Sequence, residues 1–169
     1  MITLAQLNNA SDVEFVAALG GIYEHSEWVA EKVLQQRPFA SVKALQQAMR
    51  EAVEDATEAM KMDLIVAHPD LAGKLARAGK ITESSTKEQA GLGLDRLSDV
   101  EYDQFTEANT RYREKFGFPF IICARRTTKD DVLKAFRKRL ENSRGAEIRE
   151  ALDQIHQIGE LRIGDLIGE

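Results

Sequence analysis

Cysteine occurs once in these 169 residues, at Cys123, so no disulfide can form within the chain and no cysteine-rich metal site can be assembled. Such usage favours a reducing, cytoplasmic compartment. Cys123 lies in an apolar run and reads as a packed thiol. Proline is nearly as rare, with three residues, which leaves long segments free to be helical. Apolar runs are short, and none approaches the roughly 20 residues needed to span a membrane. The first residues, Met1-Ile2-Thr3-Leu4-Ala5-Gln6, lack the basic stretch and apolar core of a secretory signal. The last, Ile167-Gly168-Glu169, do not match a peroxisomal address. Positive charge is outnumbered, 23 basic against 28 acidic side chains, for a net charge of −5. A nucleic-acid surface needs a basic face to meet phosphates, so that class is disfavoured. The local clusters Arg125-Arg126 and Arg137-Lys138-Arg139 read as solvated helix faces.

What is present is ordinary for a soluble globular chain: 43% hydrophobic and 30% charged residues. The length suits one domain, residues 1–169, with a real core. Apolar residues recur at helical spacing, which predicts helices near 11–19, 26–36, 41–60, 61–67, 69–79, 85–96, 98–116, 128–142 and 145–167. Ser11, Ser26, Ser41, Ser85, Ser98 and Thr128 precede such segments and suit their caps. Ser11…Glu14, Ser85…Glu88 and Ser98…Glu101 have the spacing at which two side chains reciprocally satisfy helix-end donors. In the segment after Ser98, Phe105, Ala108, Tyr112 and Phe116 share a face; in the next, Leu133, Phe136 and Leu140 do. Residues 116–123 break the pattern. Their aromatics and isoleucines favour an extended backbone and Pro119 excludes a helix interior, yet no second strand-like run offers a partner. The expected fold is all-α: a compact single-domain multi-helix bundle with one buried extended connector.

His68 stands out among the three histidines because Pro69 follows it. Proline disfavours helical geometry in the residue before it and suits the first position of a helix, so His68 is expected at a break between two helices. An imidazole there can carry a proton near neutral pH, or serve only as a cap. Glu88 likewise reads as a capping residue or as a partner for His68. Ser85 and the free amides of that first turn could hold an anion, and Gln89 could read a polar ring edge. Gly91 and Gly93 fall in the same helical stretch, where close approach of another helix would account for them; Gly91-Leu92-Gly93 is no dinucleotide fingerprint. In the last segment Ile148, Leu152, Ile155, Gly159, Arg162 and Leu166 step at one-face spacing. Arg162 is therefore either a buried guanidinium that needs a carboxylate, or is turned to solvent by a break at Gly159 or Gly164. No metal-ligand spacing and no nucleophile elbow is found.

With His68-Pro69-Asp70-Leu71, Ser85-x-x-Glu88-Gln89 and Phe116-Gly117-Phe118-Pro119-Phe120-Ile121 in this order, the chain resembles the 2-oxo-4-hydroxy-4-carboxy-5-ureidoimidazoline (OHCU) decarboxylases of urate breakdown. The resemblance runs from Leu4-Ala5-Gln6-Leu7-Asn8 to Leu161-Arg162-Ile163. It implies an all-helical, often dimeric, cofactor-free enzyme that converts OHCU to (S)-allantoin and carbon dioxide. It places the catalytic histidine on His68 and its paired glutamate on Glu88. Substrate-binding positions fall on Pro69, on Ser85, Thr86, Lys87 and Gln89, and on Phe120, Ile121, Ile122, Cys123 and Ala124. A substrate-contacting arginine falls on Arg162. The partners implied are a small anionic substrate and a second copy of the chain, with neither nucleic acid nor membrane.

Two other readings stand beside this one. In the first, the chain is a non-catalytic helical interaction domain whose apolar run 116–123 is a docking or dimer surface. In the second, the same residues serve a lyase or hydrolase acting on another ureido compound.

Overall fold

The computed structural model describes residues 1–168 and their side chains apart from that of Leu75; Glu169, the last residue of the expected domain, lies outside the described residues. The chain divides into two compact units. The first comprises Met1–Ala67 and the chain from His156 onward, and the second His68–Ile155.

The first unit opens with strand β1, Ile2–Thr3, and helices α1, Leu4–Asn9, and α2, Asp12–Leu19. The Ser11…Glu14 box caps α2 as expected, and an unanticipated Thr3…Gln6 box caps α1. Helix α3 covers Trp28–Val33 and continues as a 3-10 turn, Leu34–Gln36. Its cap position is Glu27 without a side-chain bond, while the Ser26 hydroxyl donates to the Glu24 carbonyl, so Ser26 does not cap. Ser41 does cap α4, Val42–Glu54. The expected helix 41–60 is divided, because Thr57 caps a new helix, α5, Glu58–Val66. Leu7, Phe15, Val29, Leu45 and Met49 are fully buried and form the centre of this unit. Strand β2, Ile167–Gly168, pairs in parallel with β1, Ile2 opposite Ile167. This two-residue ladder was not legible in the sequence.

The second unit holds α6, Lys74–Arg77; α7, Glu83–Gly91; α8, Asp99–Phe116; and α9, Lys129–Arg139. Two 3-10 turns, Leu94–Arg96 and Ala124–Arg126, complete it. The last helix, α10, Arg144–Leu166, starts in this unit and ends in the first. Three expectations are corrected here. Pro69 does not open a helix: residues 68–73 are irregular and α6 is one turn long, because side chains of α7 and α8 take up the polar groups of this segment. Ser85 is not the cap of α7. Thr82 accepts from the Ser85 N–H at 3.3 Å, so the helix begins three residues earlier and Ser85…Glu88 is no capping box. Gly91 faces open space and Gly93 sits at φ +82°, beyond the end of α7, so neither glycine is explained by a close helix contact.

Ser98 and Thr128 cap α8 and α9 as expected. The buried stripe of α8 is Phe105, Asn109, Tyr112 and Phe116, with polar Asn109 taking the place expected for Ala108. On α9 the buried residues are Val132, Phe136 and Arg139; Leu133 and Leu140 are only half-buried. Arg139 is thus no part of a solvated basic face. Gly117 ends α8 in a left-handed conformation (φ +80°) that glycine adopts without a side-chain clash. The connector then runs extended and buried, as expected. Phe118 meets Tyr112 edge-on at 5.9 Å, and Phe120 stacks on Phe136 at 3.8 Å. Each such ring buries about 150–250 Å², and favourable pairs add about 0.5–1.5 kcal/mol. Phe116, Phe118 and Phe120 are spent on this core, which removes the run 116–123 as an exposed docking surface.

Candidate active site

The break after α5 places His68, which is 6% exposed. Pro69 holds that residue out of helical geometry. Residues 70–73 are then fastened one by one. The Asp70 carboxylate receives the Arg113 Nε–H at 2.9 Å. The Asp70 carbonyl accepts from the Gln89 amide at 3.3 Å, and the Ala72 N–H donates to the Gln89 Oε1 at 2.8 Å. The Leu71 carbonyl accepts from the Asn109 Nδ2 at 2.8 Å. Ala72 is held at φ +51°, a left-handed conformation costly for a residue with a Cβ. At Gly73 a Cβ would stand 2.9 Å from the Asp70 Cβ, so only glycine fits this tight return.

Helix α7 supplies the second element. With Thr82 as cap, Ser85 lies in the first turn and is buried, and Glu88, half-buried, follows three residues later on the same side. Glu88 is therefore released from capping. The next residue, Gln89, reaches the 70–72 backbone, so α7 and the His68 loop are joined by one buried amide. Thr86 and Lys87 are exposed: the Thr86 hydroxyl donates to the Thr82 carbonyl at 2.9 Å, and Lys87 pairs with Glu83 at 2.6 Å.

The connector supplies the third element. The α7 helix packs against the 124–126 turn, which brings two stretches more than 30 residues apart into contact. Cys123 shows what surrounds them. Burial pushes its thiol up, Arg126 and Arg125 oppose this, and the Glu88 charge adds to it. Glu88, both arginines and Cys123 thus share one neighbourhood. Arg125 and Arg126 are exposed, in keeping with the solvated patch expected from sequence, and stand near Cys123 beside the candidate site. Phe120, Ile121 and Ala124 are buried and Ile122 is half-buried. Of the connector amides, Cys123 N–H already donates to Gln154 Oε1 at 2.8 Å, so it is not an open donor. The Ile121 carbonyl accepts from Arg139 Nη1 at 2.6 Å.

A family model described as OHCU decarboxylase matches residues 8–164. The chain belongs to the OHCU decarboxylase family. It is 43% identical to 2-oxo-4-hydroxy-4-carboxy-5-ureidoimidazoline decarboxylase of Haloferax volcanii, over 97% of this chain and 95% of that one. It is 37% identical to the uric acid degradation bifunctional protein PucL of Bacillus subtilis, over all of this chain and 33% of that protein. Among solved structures, (S)-allantoin synthase superposes with a TM-score of 0.79 at 31% identity, over 98% of this chain and 54% of that one. OHCU decarboxylase in the presence of (S)-allantoin superposes with a TM-score of 0.70 at 25% identity, over 95% of this chain and 100% of that one.

All of the candidate positions of this OHCU decarboxylase family member but one fall in the second unit. The exception is Arg162, which belongs to the first. Helix α10 does not break at Gly159 or Gly164, so the apolar-stripe reading holds, and Arg162 is buried. Its Nη1 meets Glu24 Oε2 at 2.8 Å and the Ile22 carbonyl at 3.3 Å. Glu24, 2% exposed, gave no sequence signal as a partner. Among the described residues no group of three or more His, Cys, Asp and Glu side chains is arranged to hold a metal ion, and no helix is long and apolar enough to cross a membrane.

Proposed function

We propose that His68 delivers the proton that completes the decarboxylation of OHCU, and that Glu88 orients it. The reaction yields (S)-allantoin and carbon dioxide in urate breakdown, and the protein is a carboxy-lyase. As the carbon–carboxylate bond breaks, its electron pair moves into the conjugated imidazoline ring. The ring itself is the electron sink, so the protein need only position the substrate and stabilise developing charge. The neighbouring ring carbon takes a proton on one face from His68, the hydroxyl proton passes to the ring nitrogen as the carbonyl forms, and solvent reprotonates the imidazole once product has left. Delivery from one side makes a single enantiomer.

The observation that carries this reading is the buried imidazole on a loop fastened by Gln89 to the helix that bears Ser85 and Glu88. While substrate covers it, a buried proton donor passes its proton to the ring rather than to bulk water. In the same reading Pro69, the 85–89 turn of α7 (Ser85, Thr86, Lys87 and Gln89) and the 120–124 backbone seat the ring. Contact of Arg162 with the substrate anion rests on the family resemblance alone. The chain acts as one functional domain, since the family match runs through both units. The family resemblance further implies a homodimer in the cytoplasm.

The test is to generate OHCU enzymatically from urate and follow its ultraviolet signal together with optical rotation. The protein is expected to accelerate the decay and to give optically active (S)-allantoin. Decay no faster than the spontaneous, unselective reaction would overturn the reading.

A further inference from the structure

Asn109 and Arg113 have no part in the proton delivery by His68, and their placement calls for one. They lie one turn apart on α8, on the side that meets the segment after His68. Asn109 is 6% exposed in the middle of an otherwise aromatic stripe, between Phe105 and Tyr112. Its Nδ2 donates to the Leu71 carbonyl, while its Oδ1 is buried without a hydrogen-bond partner among the described residues. Turning the amide over would set that oxygen against the Leu71 carbonyl, so the carbonyl fixes the orientation. An apolar side chain would fill the stripe without stranding an acceptor. An asparagine there makes sense as a holder of the loop. Arg113 is different in kind: it is half-exposed, and its partner Asp70 is partly exposed as well. Exposed ion pairs of this sort contribute little to folding. Its geometry nevertheless fixes the side chain two residues from His68.

We propose that Asn109 and Arg113 are positioning residues for His68, holding the Leu71 carbonyl and the Asp70 carboxylate so that the imidazole is presented in one place. The inference rests on His68 being the proton donor. Between them, Gln89, Asn109 and Arg113 hold Asp70, Leu71 and Ala72 against α7 and α8. The strained φ of Ala72 is kept by the same set of bonds. A proton donor held this way meets one face of a flat ring; a donor on a slack loop meets both.

The experiment measures kcat, KM and the enantiomeric excess of allantoin, corrected for spontaneous decay, in the full chain. The variants are Arg113→Ala, Arg113→Lys and Asn109→Asp. Asn109→Asp keeps the shape but replaces the donor with an acceptor. Arg113→Ala and Asn109→Asp are expected to lower kcat about 10- to 100-fold, the scale of loss when a reacting group is misplaced by about 1 Å. KM should move by less than about threefold, and the product should lose enantiomeric excess. Arg113→Lys, which can still pair with Asp70, should recover most of both. Loss of folded protein alone would lower the apparent rate but leave the enzymatic product fully (S). Should Asn109→Asp fail to fold, the Arg113 pair decides alone. Wild-type kcat and fully (S) product in Arg113→Ala would overturn the inference while leaving the proposed function intact. A wild-type chain that does not accelerate OHCU decay would overturn both.

Discussion

Arg139 Nε lies 2.8 Å from Glu147 Oε1 in the interior of the second unit, and the same guanidinium reaches the Ile121 carbonyl. The Tyr112 hydroxyl donates to Glu147 at 2.9 Å, and the Arg139 guanidinium lies 4.3 Å from the centre of the Phe120 ring. One buried ion pair thus ties α8, α9, α10 and the connector together. Removing one partner strands a charge, which typically costs about 3–5 kcal/mol, whereas apolar replacement of both can be nearly neutral. Arg139→Met and Glu147→Leu should each lower the urea midpoint sharply, and the double variant should recover most of it. Activity should not recover, because the Ile121 carbonyl has lost its donor. Double-variant stability no better than that of the singles would contradict this account.

The pair of Arg162 and Glu24 makes a parallel case in the first unit. Both are buried, and Arg162 also leans on the Ile22 carbonyl. Glu24→Gln should destabilise the fold by more than about 1.5 kcal/mol, because a buried guanidinium loses its counter-charge. Denaturant unfolding measures it, and a change below about 0.5 kcal/mol would contradict a buried, coupled pair.

Alkali should unfold the protein for a stated reason. Burial pushes the Cys123 thiol up, and burial likewise raises Tyr23 and Tyr112 above the usual phenol range. In the folded chain these groups stay protonated where the unfolded chain ionises, so the folded state binds more protons and stability falls as pH rises. The loss should begin near the ordinary thiol value of 9.0 and steepen above the ordinary phenol value of 10.0. Cys123→Ala should remove the earlier part in a pH series of denaturant midpoints. An unchanged midpoint from about pH 8 to about pH 11 would contradict the burial of all three groups.

Gly117 offers a local test. Its left-handed conformation ends α8 just before the connector, and a Cβ there would meet open space. Strain alone is therefore at issue, and Gly117→Ala should cost about 1–2 kcal/mol by thermal unfolding. A neutral substitution would mean that the backbone relaxes.

Much of this architecture was legible because local rules act alone on long helices. The caps at Ser11 and Ser98 and the span of α8 come from spacing and side-chain chemistry near the helix itself. The failures are tertiary. Pro69 looked like a helix start, but side chains from α7 and α8 claim the backbone and the carboxylate of residues 70–72. Ser85 lost the cap to Thr82, which carries an equivalent hydroxyl three residues earlier. Asn109, Arg139 and Glu147 sit where a periodicity argument expects apolar residues or solvent, and only their distant partners explain them. At the candidate site His68, Ser85 and Glu88 were legible from the break and the motif. The loop clamp and the nearness of Arg125 and Arg126 were not, because each depends on packing between segments far apart in sequence.

The central claim is that the His68 imidazole supplies the proton. Its most direct test is the steady-state rate of (S)-allantoin formation by His68→Gln against wild type, with helical content checked by circular dichroism. Loss of a general acid typically lowers the rate about 10²–10⁴-fold, and that loss with an unchanged spectrum is the expected result. A variant that folds and still makes (S)-allantoin at close to the wild-type rate would contradict it.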